Sequence, residues 1–423
     1  MKIKRIVAFL IVLTSVYPGL IFGQKAKKTE RNIQLGVSEI NITPQSTIRM
    51  GGYGARKGPS TGVHDDLFAS ALFFSGEETR ILVITVDVVG LNAEFIDGAK
   101  KMISSKISIP AENIMISALH NHGGPATQSL KDEVSPAVND YLVFLKEKLI
   151  LLAVEASKKI APFRMGIGKG FSNMNINRRA KFADGSIGLG RDPNGPADHE
   201  LGVVKFEDMN NNTVALFINW PCHATAGGSE NNLITGDWPA SVARYIKKQA
   251  GKDIVVAISA GASANINPIY GPGNSFKEIE AVGFNVATEA WKKLPEIEMH
   301  PVKTIQAKNT TLKFPGKMRT NNYLPQTSYE SGPEVELRLT TLKIGDLVLS
   351  GVSGELFTEI GMEVKKRSPY ANTFIVTHCN GSNGYICTDS AYPVGGYEVG
   401  ASWLMPGVEK PLTEKFMELI RSF

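Results

Sequence analysis

Cysteine is scarce in this chain: 423 residues carry three, Cys222, Cys379 and Cys387. So small and odd a number excludes a disulfide scaffold as the source of stability. Cys379 and Cys387 would form the single bridge in an exported protein, a matter that spacing alone does not decide. A dominant charge is missing too. Lys and Arg number 46 against 41 Asp and Glu, a formal +5 that falls to +2 once Lys2, Lys4 and Arg5 are set aside. That is no nucleic-acid footprint, so no nucleic-acid partner is expected. Lys25, Lys27, Lys28 and Arg31 read as a solvated tail. No repeat, low-complexity tract or linker divides the sequence after residue 35. With 43% hydrophobic and 21% charged residues the chain can bury a large core, read here as one domain over 35–423.

The single long apolar run lies at the start. Lys2, Lys4 and Arg5 precede an uncharged stretch from Ile6 to Gly23, the build of a secretory signal peptide over 1–24. A run of this length is near the lower limit for spanning a bilayer, which leaves an uncleaved anchor as the alternative. No Cys follows the run, which argues against a lipoprotein anchor. The expected location is periplasmic or secreted.

Short apolar runs predict strands at 81–89, 113–119, 213–220, 253–260, 346–353 and 373–378. Helical patterns lie between them at 92–107, 137–158 and 237–250, the last closed by Gly251 as C-cap. Strands alternating with helices predict an α/β fold, a mixed β-sheet core flanked by helices, with the active site at the C-terminal ends of strands. Gly- and Pro-rich loops are expected at 51–62, 181–197, 261–274 and 380–400, where binding groups would sit.

Histidine is also sparse, seven in all, yet two stand one residue apart in "SALHNHGGP". His120 and His122 end a predicted strand, and side chains at i and i+2 of an extended segment face the same way. His223 follows the strand 213–220, Glu355 follows 346–353, and Tyr385 follows 373–378. Each has a plain structural reading. Glu355 opens a predicted helix, whose dipole favours a carboxylate; Tyr385 would pack as an aromatic; His223 would be a hydrogen-bonded imidazole. Recurrence at four strand ends is what points to a joint site. Were His120, His223 and Glu355 to converge, imidazoles and a carboxylate suit zinc, and three ligands leave room for a water whose pKa can fall to about 7.

The order and context of these motifs resemble the neutral (non-lysosomal) ceramidase family. "GVSEINITP" (36–44), "MGGYGAR" (50–56) and "GVHDDLFASALFF" (62–74) are similar to its amino-terminal pattern. "ALHNHGGP" looks like its "THTHSGP", "NWPCHATAG" like "NWFAVHPTS", "SGELF" like "PGEF", and "GYICT…YEVGAS" like "GYVTT…YEGAS". The resemblance is collinear from about 36 to 403. It implies a zinc ion held by His120, His223, Glu355 and Tyr385, with His122 assisting proton transfer. By the likeness of "NINRRA" to the family's Asn-Arg motif, Arg178 would position the substrate, and Tyr397 would stabilise the oxyanion. The implied reaction is hydrolysis of the ceramide amide to sphingosine and a fatty acid, with zinc and no organic cofactor. A lipid or small-molecule substrate follows, with association to a membrane surface as the route to it and no protein partner.

Departures from the family pattern keep other readings open. Thr and Ser flanking the family's histidines are replaced in "HNHGGP", "CHATA" stands for "VHPTS", and no chain beyond Phe423 would form the family's usual immunoglobulin-like carboxy-terminal domain. A zinc hydrolase acting on another N-acyl, ester or cell-envelope glycan substrate is one alternative, and a non-catalytic lipid- or sugar-binding protein another. Outside the motif set, His64, in the family-like "GVH" segment, would line the site or, the preferred reading, serve structurally at a strand start; His199, His300 and His378 carry no motif, Asp87 is a buried acid that pairs with a loop donor or supports the site, and Asp237 is expected to cap a helix.

Overall fold

The computed structural model describes residues 33–128, 135–251, 253–273 and 275–423. The expected signal segment 1–24 lies outside the described residues. Nine strands make the main sheet. From edge to edge run Val255–Ala260, Thr213–Trp220, Glu200–Asp208, Ala161–Phe171, Gln34–Asn41, Phe68–Ser75, Arg80–Val86 and Ile114–Ala118, with His300–Pro301 added beside Ala161–Phe171. Both edges are parallel pairs, Thr213–Trp220 with Val255–Ala260 and Arg80–Val86 with Ile114–Ala118, while the strands between are antiparallel. The sheet curls: the edge strand Val255–Ala260 packs near Phe68–Ser75, Arg80–Val86 and Ile114–Ala118. Two edges far apart in the strand order therefore meet in space.

A second sheet of four strands, Ile305–Lys317, Ser331–Ile344, Leu347–Val352 and Asn372–Val376, ends in the parallel pair Leu347–Val352 with Asn372–Val376. Its inner face shares a core with the main sheet, where Phe74, Phe163, Phe206, Leu342 and Phe374 pack together. Side chains of that size contribute roughly 1.5–3 kcal/mol each on full burial. Helices Ala93–Ile107 and Pro136–Lys158 cover one side of the main sheet, and Asp237–Ala250 and Phe276–Lys293 another. This is the expected mixed sheet with flanking helices.

Local chemistry explains the boundaries. The Asn92 side chain accepts from Phe95 N at 2.8 Å and starts the helix Ala93–Ile107. Gly251, at φ 63°, closes the helix Asp237–Ala250 by donating to Lys247 O and Lys248 O, as expected. Asp237 plays a different part from the cap expected of it. It is itself the first helical residue, and its carboxylate accepts from Ala226 N at 3.0 Å, Gly227 N at 2.8 Å and Trp238 N at 2.8 Å, tying down the loop after His223. The stretch 181–197, expected as loop, holds the strand Ile187–Asp192 paired with Asn175–Lys181; glycines on a half-exposed hairpin leave no apolar alternation to read. All three cysteines are buried and free. No helix among the described residues is long and apolar enough to cross a membrane.

Candidate metal centre and active site

Three short backbone pairings assemble the site. Asn121, between the two histidines, makes a parallel bridge to Ala224, the neighbour of His223. Glu355 and Tyr385 are direct register partners in a two-residue parallel ladder, Glu355–Leu356 with Tyr385–Ile386. Cys379 bridges to Ser117, and Ala118 N donates to His378 O at 3.2 Å, which seats His378 beside the end of strand Ile114–Ala118. His120, His122, His223, Glu355 and His378 each lie a few residues past the C-terminal end of a strand that pairs in parallel, so the sheet edges deliver them to one place.

The structure brings His120, His122, His223, Glu355 and Tyr385 together as expected. His120 Nδ1 donates to Val89 O at 2.7 Å, and His223 Nδ1 to Ser263 O at 2.7 Å and Ile266 O at 3.0 Å. Since a carbonyl only accepts, the Nδ1 atoms carry protons, which leaves the Nε2 atoms facing inward as the ligand positions. Glu355 Oε2 stands 3.3 Å from each Nε2, and His122 Nε2 stands 3.1 Å from that of His120. Lone pairs gathered so closely repel unless a proton or a cation lies among them. Ligand atoms about 2.0–2.1 Å from a tetrahedral zinc stand about 3.3–3.4 Å apart, which these separations match. Glu355 Oε2 and His122 Nδ1 are buried with no hydrogen-bond partner. The donor set therefore fits a divalent cation, and imidazole with carboxylate suits zinc.

Burial opposes ionisation of Glu355, yet the adjoining imidazoles, His120 foremost and then His223, hold its carboxyl well below its ordinary range. Burial, then the nearby Arg178, pushes His223 down to about 4, and burial with His120 and His223 pushes His122 well below its usual value. Both rings are neutral at physiological pH, the form in which imidazole ligates or accepts a proton. Burial and the Glu355 carboxylate raise the Tyr385 phenol well above its ordinary value.

Arg178 is buried and its guanidinium is fully engaged. Nε donates to Glu398 Oε1 at 2.7 Å, Nη2 to Tyr385 Oη at 3.2 Å and Nη1 to Asn267 Oδ1 at 3.3 Å, with His223 Nε2 3.2 Å from Nη1. Tyr397 stands edge-on to Tyr385, ring centres 5.7 Å apart, with its side chain on the cavity wall. The cavity measures about 1360 Å³ and is lined by His120, His122, Arg178, Glu355, Tyr385 and Tyr397 among others. Its roof is the loop expected at 51–62. Tyr53 packs edge-on against His122 at 4.7 Å and donates to Gly227 O at 2.6 Å. Gly52, at φ 85°, passes so close that a Cβ would lie 2.3 Å from His122 Cγ, so only glycine fits there.

Two site residues carried no weight in the sequence reading. His378 stacks on His120 with ring centres 4.2 Å apart, and its donor atom lies within 4.8 Å of those of His120 and Glu355. The signal was present, since His378 follows the strand that leads to Tyr385. Glu398, adjacent to Tyr397, is buried and holds both Arg178 and Arg179. His120 and His378 both have positive φ, 56° and 49°, conformations uncommon outside glycine that recur at functional sites. Of the residues read as structural, His64 pairs with Asp65 at 2.6 Å and stacks on Phe276, away from the cavity lining. Asp87 accepts from Phe68 N at 2.9 Å, a donor at the start of the strand Phe68–Ser75 rather than the loop donor expected.

Residues 33–268 match the family described as neutral/alkaline non-lysosomal ceramidase, N-terminal, and the chain belongs to it. Neutral ceramidase of Drosophila pseudoobscura pseudoobscura is 25% identical over 239 residues, 51% of this chain and 32% of the relative. Neutral ceramidase B of Dictyostelium discoideum is 24% identical over 299 residues, 63% of this chain and 41% of the relative. The chain thus spans about a third to two fifths of these curated relatives. Among solved structures, a ceramidase described as complexed with C2 superposes with a TM-score of 0.77 at 16% identity, covering 92% of this chain and 75% of that one. Neutral ceramidase from Pseudomonas aeruginosa gives 0.76 at 17% identity, with 92% and 74% covered. The chain has the neutral ceramidase fold.

Proposed function

We propose that the protein is an exported, zinc-dependent amidohydrolase that cleaves the N-acyl amide of ceramide or a related N-acyl lipid. The observation that carries this reading is the convergence of His120 Nε2, His223 Nε2 and Glu355 Oε2, with His120 and Glu355 lining a large cavity, in a chain of the ceramidase family. His120, His223, Glu355 and Tyr385 would hold the zinc. When bound, zinc supplies a Lewis acid for the amide carbonyl and a water acidified to a pKa of about 7.

The chain's own residues supply the rest of what a poor electrophile requires. His122, neutral and on the cavity wall, takes a proton from the attacking water and returns it to the leaving nitrogen. Arg178 fixes the Tyr385 oxygen through Nη2 while Glu398 locks the guanidinium in place. Tyr397 offers its phenolic hydroxyl to the developing oxyanion. Val89 O and Ser263 O hold the His120 and His223 rings in one tautomer, which orients both donors.

Metal analysis of the purified protein, with hydrolysis assays on ceramides, other N-acylated lipids and amino sugars, tests this reading. One zinc per chain and amide hydrolysis lost in His120→Ala are expected. Absence of stoichiometric zinc, or undiminished hydrolysis in that variant, sinks it. Zinc binding without turnover on any substrate would favour a binding protein.

A further inference from the structure

We infer that the cavity takes an N-acyl compound whose amine half carries an anionic group, a phosphate, sulfonate or carboxylate, in preference to a neutral amide. This rests on the amidohydrolase reading and narrows its substrate. The ground is the charge of the lining. Four arginines, Arg49, Arg178, Arg191 and Arg319, line the cavity against one carboxylate, Glu355. Glu355 faces His120 and His223, and Arg178 is neutralised by Glu398. Arg49, Arg191 and Arg319 make no ion pair among the described residues.

Two of these three are anchored on the wall. Arg191 Nη2 donates to Gly271 O at 2.8 Å, and the Arg319 guanidinium carbon lies 5.2 Å from the centre of the Trp403 ring. Gly271 and Trp403 both line the cavity. Each guanidinium has five N–H donors, so these anchors leave most of them available. Among the described residues no acid pairs with these three cations, and the hydroxyls of a neutral amide would bring them no countercharge. An anionic group satisfies all of them, and arginine is the side chain whose fork matches phosphate and carboxylate oxygens. The charge also steers anions toward the mouth. Leu189, Met50 and Trp403 on the same wall offer apolar surface for the acyl chain. Arg49, Arg191 and Arg319 are also exposed, so an anionic lipid surface is a rival source of the same contact.

The test compares water-soluble N-hexanoyl sphingosine with N-hexanoyl amines bearing a phosphate, a sulfonate or a carboxylate, on the zinc-loaded protein and on Arg191→Gln/Arg319→Gln. At least one anionic compound should exceed the neutral one in kcat/KM by about tenfold or more, and the double variant should lower that ratio at least about tenfold, roughly what losing a charged hydrogen-bonded contact costs. Melting temperature and zinc content establish that the variant is folded and loaded. Preference for the neutral compound, or a ratio unmoved in the double variant, overturns the inference while leaving the amidohydrolase reading intact. If no compound is hydrolysed, that reading fails, and calorimetric binding of the same panel decides this one: tighter binding of an anionic compound, lost in the double variant, supports it, and equal binding refutes it. A final arm embeds the neutral substrate in phosphatidylcholine vesicles with and without phosphatidylglycerol. A variant defect seen only with the anionic vesicles assigns the arginines to the lipid surface and refutes the substrate assignment.

Discussion

Residues 33–268, which match the family, and residues 269–423, beyond the match, furnish one site with different chemistry. The first part contributes the imidazoles of His120, His122 and His223 and the cation Arg178. The second contributes the carboxylates Glu355 and Glu398 and the phenols Tyr385 and Tyr397. Neither part is balanced alone: the first would bury Arg178 without its counter-ion, and the second would bury Glu398 without Arg178 and Arg179 and Glu355 without its imidazole neighbours. The difference teaches that the site is a joint between two sheets, in which opposite charges meet only when both parts are folded.

That contrast can be broken at its strongest point first. His120→Ala and Glu355→Ala should each abolish hydrolysis and weaken zinc binding by at least about 100-fold, more than losing an outer partner costs. Zinc retained at full stoichiometry in either variant would show that one part suffices. Next in size is His122→Ala, expected to lower kcat by about 10²–10⁴-fold while zinc stays bound. Loss of zinc together with activity would instead make His122 a ligand, an option its 3.1 Å approach to His120 gives substance.

Glu398→Gln examines the joint through stability. It leaves Arg178 buried without a counter-ion and deprives Arg179 of the same carboxylate. A loss of about 3–5 kcal/mol is expected in denaturant unfolding. A loss under about 1 kcal/mol would mean that this pair does not tie the two parts together.

The smallest expected effect lies within the first part and away from the cavity. Burial raises the Asp87 carboxyl from 3.8 to about 7, with the Phe68 N–H opposing. The folded protein thus keeps a proton that the unfolded chain has lost, so Asp87 withdraws stability as pH rises from about 4 to about 7. Asp87→Asn should remove this slope and stabilise the protein at pH 8 relative to pH 4 by about 1–3 kcal/mol, allowing for partial solvent screening. Parallel stability-versus-pH curves for the variant and its parent would contradict it.

Much of the site was legible because its signals are local. An apolar run followed by a polar residue marks a strand end, and His120, His223, Glu355 and Tyr385 all stand at such ends, in motifs that resemble one family in order. Glu398 was missed because a lone acid in a short segment says nothing until its partners are known, and its partners lie about 220 residues away. His378 was passed over for want of a motif, although its strand was read correctly. The hairpin built from Asn175–Lys181 and Ile187–Asp192 escaped because its exposed glycines and charges carry no periodic apolar face.

By itself the sequence determined the alternation of strands and helices, the placement of the metal-competent residues at strand ends and the family, because these depend on patterns a few residues long. Tertiary structure alone decided that the curled sheet brings His120 to His223, that Glu355 pairs in register with Tyr385, that Glu398 clasps Arg178, and that three arginines with no ion pair among the described residues line one cavity. The physical reason is that lone-pair repulsion and uncompensated charge act through space over a few ångströms, and only the folded chain sets those distances.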